Sequence, residues 1–167
     1  MRNGEARRRR ACGTVGIATW NIRDGRGGGI QAAARSMAMV NVDIAVLQDT
    51  KIVDPKFATR WYAGYDVVTA AAGRDTNGRA GGACGGVALI VREDNERFAV
   101  ENAEVVGENV ISCEVVTGLG KGEGDKTRWF VVGFYCPPSE TDGATQRLVE
   151  RTLKQWPPGT RPFPIGD

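Results

Sequence analysis

The sequence predicts an α/β fold, a mixed sheet or a two-sheet sandwich flanked by helices. Two observations predict it. Helical and strand-like segments alternate at both ends of the chain, and the middle consists of strand-like runs with turn residues between them. With 167 residues and a hydrophobic fraction of 41%, the chain is one domain, or most of one, with enough apolar residues for a core.

Residues 1–13 are polar, basic and glycine-containing, and predict an unfolded arm; the folded domain is expected over 14–167. Val15 to Trp20 reads as a strand and Gly25 to Gly29 as a loop. Ile30 to Val40 carries Ala32, Ala33, Ala34, Met37 and Met39, good helix formers with a helical apolar stripe. Asp43 opens a buried strand, Ile44 to Leu47, which completes a strand–helix–strand unit. Lys56 to Tyr62 predicts a short helix and Tyr65 to Thr69 a strand. Ala72 to Gly86, rich in glycine and charge, predicts a loop. Val87 to Val91, Val100 to Val106, Val110 to Val116 and Trp129 to Tyr135 predict strands, with Gly118 to Lys126 as a hairpin connection. Ser139 and Asp142 form a capping pattern for a helix running to about Trp156, stopped by Pro157-Pro158-Gly159. Pro162 to Ile165 predicts a last strand, with Asp167 at its carboxyl end.

Composition excludes several chemistries. The chain has no histidine, which removes His-based triads and the common zinc sites. Its four cysteines are widely spaced, without a C-x-x-C pair, and predict reduced thiols in an intracellular protein. Cys113 and Cys136 lie in apolar runs and read as small core residues. No apolar run reaches the ~18 residues of a membrane span. Net charge is only +2. Arg7 to Arg10 nevertheless form a basic block: a solvated arm, or a contact for nucleic acid or nuclear targeting. Gly25 to Gly29 lacks dinucleotide-binding spacing, and Gly118 to Gly122 lacks the hydroxyl residue of a phosphate-binding loop.

Four polar residues each follow an apolar strand. Asn21 can donate to a phosphate oxygen. Asp49 can hold a hard divalent cation such as Mg²⁺, and Lys51 beside it can neutralise either Asp49 or a phosphate, or simply be solvated. Tyr135 can hydrogen-bond a phosphate in the transition state. Asp167, after the turn-permitting Gly166, can transfer a proton. Taken singly, each also fits a strand-end cap or a solvated terminus. It is the coincidence of all of them at strand ends that points to a phosphate and metal site.

The segments around these residues resemble the endonuclease/exonuclease/phosphatase superfamily, and within it the endonuclease domains of LINE-type retrotransposons. Thr19-Trp20-Asn21 is similar to the first-strand motif. Asp43 to Lys51 is similar to D-I-x-x-L-Q-E-T-K, Gly85-Gly86-Val87-Ala88 to the following glycine-led strand, Tyr135-Cys136-Pro137-Pro138 to Y-x-P-P, and Gly166-Asp167 to the start of G-D-F-N. The resemblance implies a DNase I-like four-layer α/β sandwich, incomplete at the C-terminus. It implies metal-dependent cleavage of DNA phosphodiesters, with Mg²⁺ or Mn²⁺ held by Asp49 and Asn21, and with Asn21, Tyr135 and Asp167 as catalytic residues. It implies DNA as partner, no membrane, and an intracellular, nuclear location. Asp49 stands where the family has glutamate. The family's second asparagine and its Ser-Asp-His segment are missing, so impaired activity and uncovered sheet edges after Ile165 are expected. The alternatives are a non-catalytic remnant that binds nucleic acid, and a phosphatase of the same superfamily.

Overall fold

The computed structural model describes residues 15–54, 64–74, 83–92, 98–118, 126–138, 140 and 143–167. The predicted basic arm, the Lys56 to Tyr62 helix and the Ser139/Asp142 cap lie outside the described residues.

The opening strand–helix–strand unit forms as expected. β1 (Ile17–Asn21) runs parallel to β2 (Ile44–Gln48), and α1 (Gly29–Met39) connects them. β3 (Tyr65–Ala70) and β6 (Val87–Arg92) are antiparallel and give a first sheet of order β1-β2-β6-β3. The loop predicted over Ala72 to Gly86 instead contains a small ladder, β4 (Gly73–Arg74) against β5 (Ala83–Cys84). A sequence rich in glycine carries no periodicity from which so short a pairing could be read. The second sheet, of order β10-β9-β8-β7, contains β7 (Phe98–Gly107), β8 (Val110–Thr117), β9 (Thr127–Phe134) and β10 (Thr160–Gly166). β10 lies parallel to β9, with α2 (Ala144–Lys154) as the crossover.

Strand alternation sorts the apolar side chains into three clusters. Ala45, Leu47, Tyr65, Val67, Ala88 and Ile90 face α1. Ile44, Val46, Leu89, Ile111, Cys113 and Val131 fill the space between the sheets. Val110, Phe130 and Val132 meet Val149 of α2 on the outer face. The layers are therefore helix, sheet, sheet, helix. At Gly133 the sheets approach so closely that a Cβ would lie 2.9 Å from Val46 Cγ2.

α2 is capped by a residue the sequence did not suggest. Gly143 occupies its N-cap with φ 65° and offers no side chain. The Glu140 carboxylate instead accepts the Thr145 N–H at 2.6 Å and also the Thr145 hydroxyl, placing negative charge at the positive end of the helix. At the far end of the first sheet, Arg92 donates to Asn41 Oδ1 at 2.6 Å and to Tyr65 Oη at 2.9 Å. Its guanidinium also lies 3.6 Å from the fully buried Asp43, whose Oδ2 accepts the Gly16 N–H at 2.7 Å. These bonds tie β1, β2, β3 and β6 together at the end away from Asn21.

The expectation that both apolar-run cysteines are core residues holds for Cys113 and fails for Cys136, which is exposed. Cys136 lies two residues past the end of β9 and outside the ladder, where an apolar neighbourhood in sequence does not become burial. Burial raises the Cys113 thiol from 9.0 to about 12, with the Glu114 charge adding to it. Below pH 9 the folded and unfolded chains both hold this proton, and the stabilisation is complete. As pH rises from 9.0 toward 12, the unfolded chain loses the proton first and stability falls, by up to ~1.4 kcal/mol per pH unit. Urea midpoints at pH 8 and pH 10.5 should therefore diverge less for Cys113→Ala than for the parent chain. Equal divergence would show that this thiol does not set the alkaline limit.

Candidate active site

Topology brings the singled-out residues to one end of the sandwich. β1 and β2 are parallel, so Asn21 and Asp49 end neighbouring strands. β9 and β10 are parallel, so Tyr135 and Asp167 do the same in the second sheet. β6 and β8 run the opposite way and begin at this end, after Gly86 and Asn109.

Tyr135 lies at the meeting point. It is 7% exposed. Burial, then the Asp49 charge, and more weakly Cys84 and Asp167, raise its phenol above the usual 10.0, while a hydrogen bond from Asn21 opposes the rise. At neutral pH the phenol therefore keeps its proton and remains a donor. The Asn21 amide is oriented by an Asx turn: its Oδ1 accepts the Arg23 N–H at 3.1 Å, which turns the NH₂ toward Tyr135. The structure thus brings Asn21, Asp49 and Asp167 within electrostatic reach of the Tyr135 phenol.

Asp49 sits on a strained backbone. Its φ is 53° and that of Lys51 is 55°, a left-handed region costing on the order of 1 kcal/mol for a residue with a side chain. The strain is held by the glycine pair before β6. The Thr50 N–H donates to Gly86 O at 3.2 Å and the Lys51 N–H to Gly85 O at 2.8 Å. Asp49 Oδ1 accepts the Gly85 N–H at 3.3 Å. Its Oδ2 lies 3.6 Å from Lys51 Nζ, so Lys51 is an ion-pair partner of Asp49 at this site. Asp167 is exposed, and its backbone oxygen accepts the Cys136 N–H at 2.8 Å.

The carboxylates of Asp49 and Asp167 are hard oxygen donors, whereas the Asn21 amide oxygen already accepts the Arg23 N–H. Among the described residues, no group of three or more His, Cys, Asp and Glu side chains could hold a metal. A cation here would depend on one or two carboxylates and complete its shell with water, as Mg²⁺ does. Lys51 competes for Asp49 Oδ2. A separate cavity of about 480 Å³ lies beside Glu104, Glu114 and Phe130 on the outer face of the second sheet, and none of the four candidate residues lines it. Glu114 is already engaged there, by Asn102 at 2.7 Å and Arg128 at 3.4 Å.

Asn109 was not singled out from the sequence. It lies between β7 and β8, where an asparagine reads as a turn residue. No local signal shows that its side chain reaches Gly86 of the other sheet.

The fold is DNase I-like. The endonuclease domain of TRAS1, a telomere-specific non-LTR retrotransposon, superposes with a TM-score of 0.57 at 14% identity, over 92% of this chain and 58% of that one. An AP endonuclease from Leishmania major gives 0.55 at 16% identity, over 89% and 53%. A mannosyl-6-phosphatase from Bacteroides thetaiotaomicron gives 0.56 at 16%, over 92% and 65%. The chain thus spans between half and two thirds of these solved chains. Neither a protein-family model nor a curated protein matches the sequence.

The glycine pair gives a direct test of the site's framework. Gly85 has φ 81°, and a Cβ on it would lie 2.4 Å from Asn109 Oδ1. Gly159 has a similar φ of 79° with nothing within 4 Å. Gly85→Ala should destabilise the chain by ~3 kcal/mol, combining backbone strain with a clash, whereas Gly159→Ala should cost ~1 kcal/mol from the backbone alone. Urea unfolding of both variants checks this, and equal losses would mean that the joint yields freely.

Proposed function

We propose that the chain is a metal-dependent phosphodiesterase domain acting on DNA, of the retrotransposon-endonuclease type. The observation that carries the reading is topological: the parallel pairs β1–β2 and β9–β10 send Asn21, Asp49, Tyr135 and Asp167 to one end of the sandwich, where Asn21, Asp49 and Asp167 act on the Tyr135 phenol. The L-Q-x-T-K and Y-x-P-P segments and the likeness to the TRAS1 endonuclease domain support the retrotransposon type.

Each residue then has a chemical task. Asp49 and Asn21 would hold Mg²⁺ or Mn²⁺, and the bound cation would polarise a phosphoryl oxygen as a Lewis acid. Tyr135 donates its hydroxyl proton in a hydrogen bond to a non-bridging phosphate oxygen, where negative charge grows. Asn21 holds the phenol oxygen and so fixes its direction. Asp167 takes the proton of the attacking water. Water oxygen bonds to phosphorus as the bond to the leaving sugar oxygen breaks, and that oxygen takes a proton from solvent to leave as a hydroxyl. Lys51 and the exposed Arg23 supply positive charge for the DNA backbone. Nuclear location follows from this reading and from the Arg7 to Arg10 block.

Purified chain should convert supercoiled plasmid to nicked circles slowly with Mg²⁺ and not with a chelator. Asp167→Ala should abolish nicking, and Tyr135→Phe should reduce it ~10²–10³-fold. Because the phenol is raised above 10.0, the Tyr135-dependent part of the rate should persist as pH rises toward 10 and fall only above it. Plasmid binding without nicking would favour the non-catalytic alternative. Release of inorganic phosphate from a sugar phosphate, without nicking, would favour the phosphatase alternative, which the mannosyl-6-phosphatase likeness keeps in view.

A further inference from the structure

We propose that Asn109 is a positioning residue for this site, which through its side chain and its backbone oxygen holds the Asp49 strap of the first sheet in register with Tyr135 of the second. The inference rests on the phosphodiesterase reading for its purpose, but not for its geometry.

Asn109 is 6% exposed and adopts φ 62°, a conformation asparagine tolerates better than most residues. It serves both sheets at once. Its backbone oxygen accepts the Tyr135 N–H at 3.1 Å. Its side-chain Oδ1 accepts the Gly86 N–H. Gly86 and Gly85 in turn bind Thr50, Lys51 and the Asp49 carboxylate. A hydrogen-bonded path therefore runs from Asp49 through Gly85 and Gly86 to Asn109 and on to Tyr135. The packing is tight on both sides: a Cβ on Gly85 would meet Asn109 Oδ1 at 2.4 Å and Pro137 Cγ at 3.0 Å. A buried bond between a side-chain acceptor and a backbone donor fixes direction as well as distance.

The test is a mutant cycle on the whole chain labelled with meta-fluorotyrosine. There are three tyrosines, and Tyr135→Phe assigns the Tyr135 line. Asp49→Asn, which keeps an oxygen for the Gly85 N–H, should move that line in the parent. In an Asn109→Gly background, which keeps the backbone freedom but removes the acceptor, the Asp49→Asn shift should shrink to the part carried by direct electrostatics. In an Asn109→Asp background, which keeps an acceptor oxygen, the full shift should return. A shift of equal size in Asn109→Gly would overturn the proposal, and so would the same shrinkage in Asn109→Asp. If Asn109→Gly does not melt cooperatively, the Asn109→Asp arm decides. In plasmid nicking, Asn109→Gly should lower kcat ~10²-fold with KM unchanged, since a misplacement near 1 Å can cost that much. Failure of the parent to nick would count against the phosphodiesterase reading alone, leaving the fluorine cycle to judge the Asn109 link.

Discussion

Face-to-face packing of the two sheets is the constraint on which the remaining structure depends. Ile44, Val46 and Leu89 of one sheet interdigitate with Ile111, Cys113 and Val131 of the other. Burial of this apolar area is the main favourable term available to the chain. The fit is close where Gly133 passes over Val46, because a side chain there would collide with the valine methyls. Each helix then has only one place to go. α1 covers the outer face of the first sheet and α2 that of the second. β1 and β10 remain at the sheet edges, and Trp20 on β1 is 43% exposed.

That packing also explains why the polar residues gather at one end. Parallel strand pairs direct their carboxyl ends the same way, so Asn21 and Asp49 emerge together from one sheet, and Tyr135 and Asp167 from the other. Stacking the sheets brings the two pairs face to face. The connecting backbone at this end is unusual: Asp49, Lys51, Gly85, Gly86 and Asn109 all have positive φ. Such conformations persist only where surrounding bonds enforce them. Here they tighten the turns enough for Asp49 to reach Gly85 and for Asn109 to reach Gly86.

The electrostatic consequence is specific. Two carboxylates and a buried phenol share a small region, and the phenol responds by holding its proton more strongly. A phenol that keeps its proton remains a hydrogen-bond donor at neutral pH. Asp24, nearby in sequence, behaves oppositely. Bonds from the Arg26 side chain and backbone lower its carboxyl from 3.8 to about 2. It is therefore fully engaged in shaping the turn before α1.

The sequence by itself determined most of the element pattern. Period-two and period-three-to-four apolar repeats are local, and β1, α1, β2, β3, β6, β7, β8, β9, α2 and β10 could be read from them. It also identified Asn21, Asp49, Tyr135 and Asp167, since a polar residue at the end of an apolar run is visible in one dimension. Tertiary structure alone decided what those residues touch. Cys136 shares an apolar run with buried neighbours yet is exposed, because burial depends on which face a strand end presents. Glu140 caps α2 because the chain turns back at Gly143, a left-handed position that no propensity specifies. Asn109 reads as an ordinary hairpin asparagine until the sheets stack, and only then does its side chain find Gly86, a residue distant in sequence. Periodicity records which face of an element is apolar; contacts between sheets depend on how those faces meet, and that information is not local.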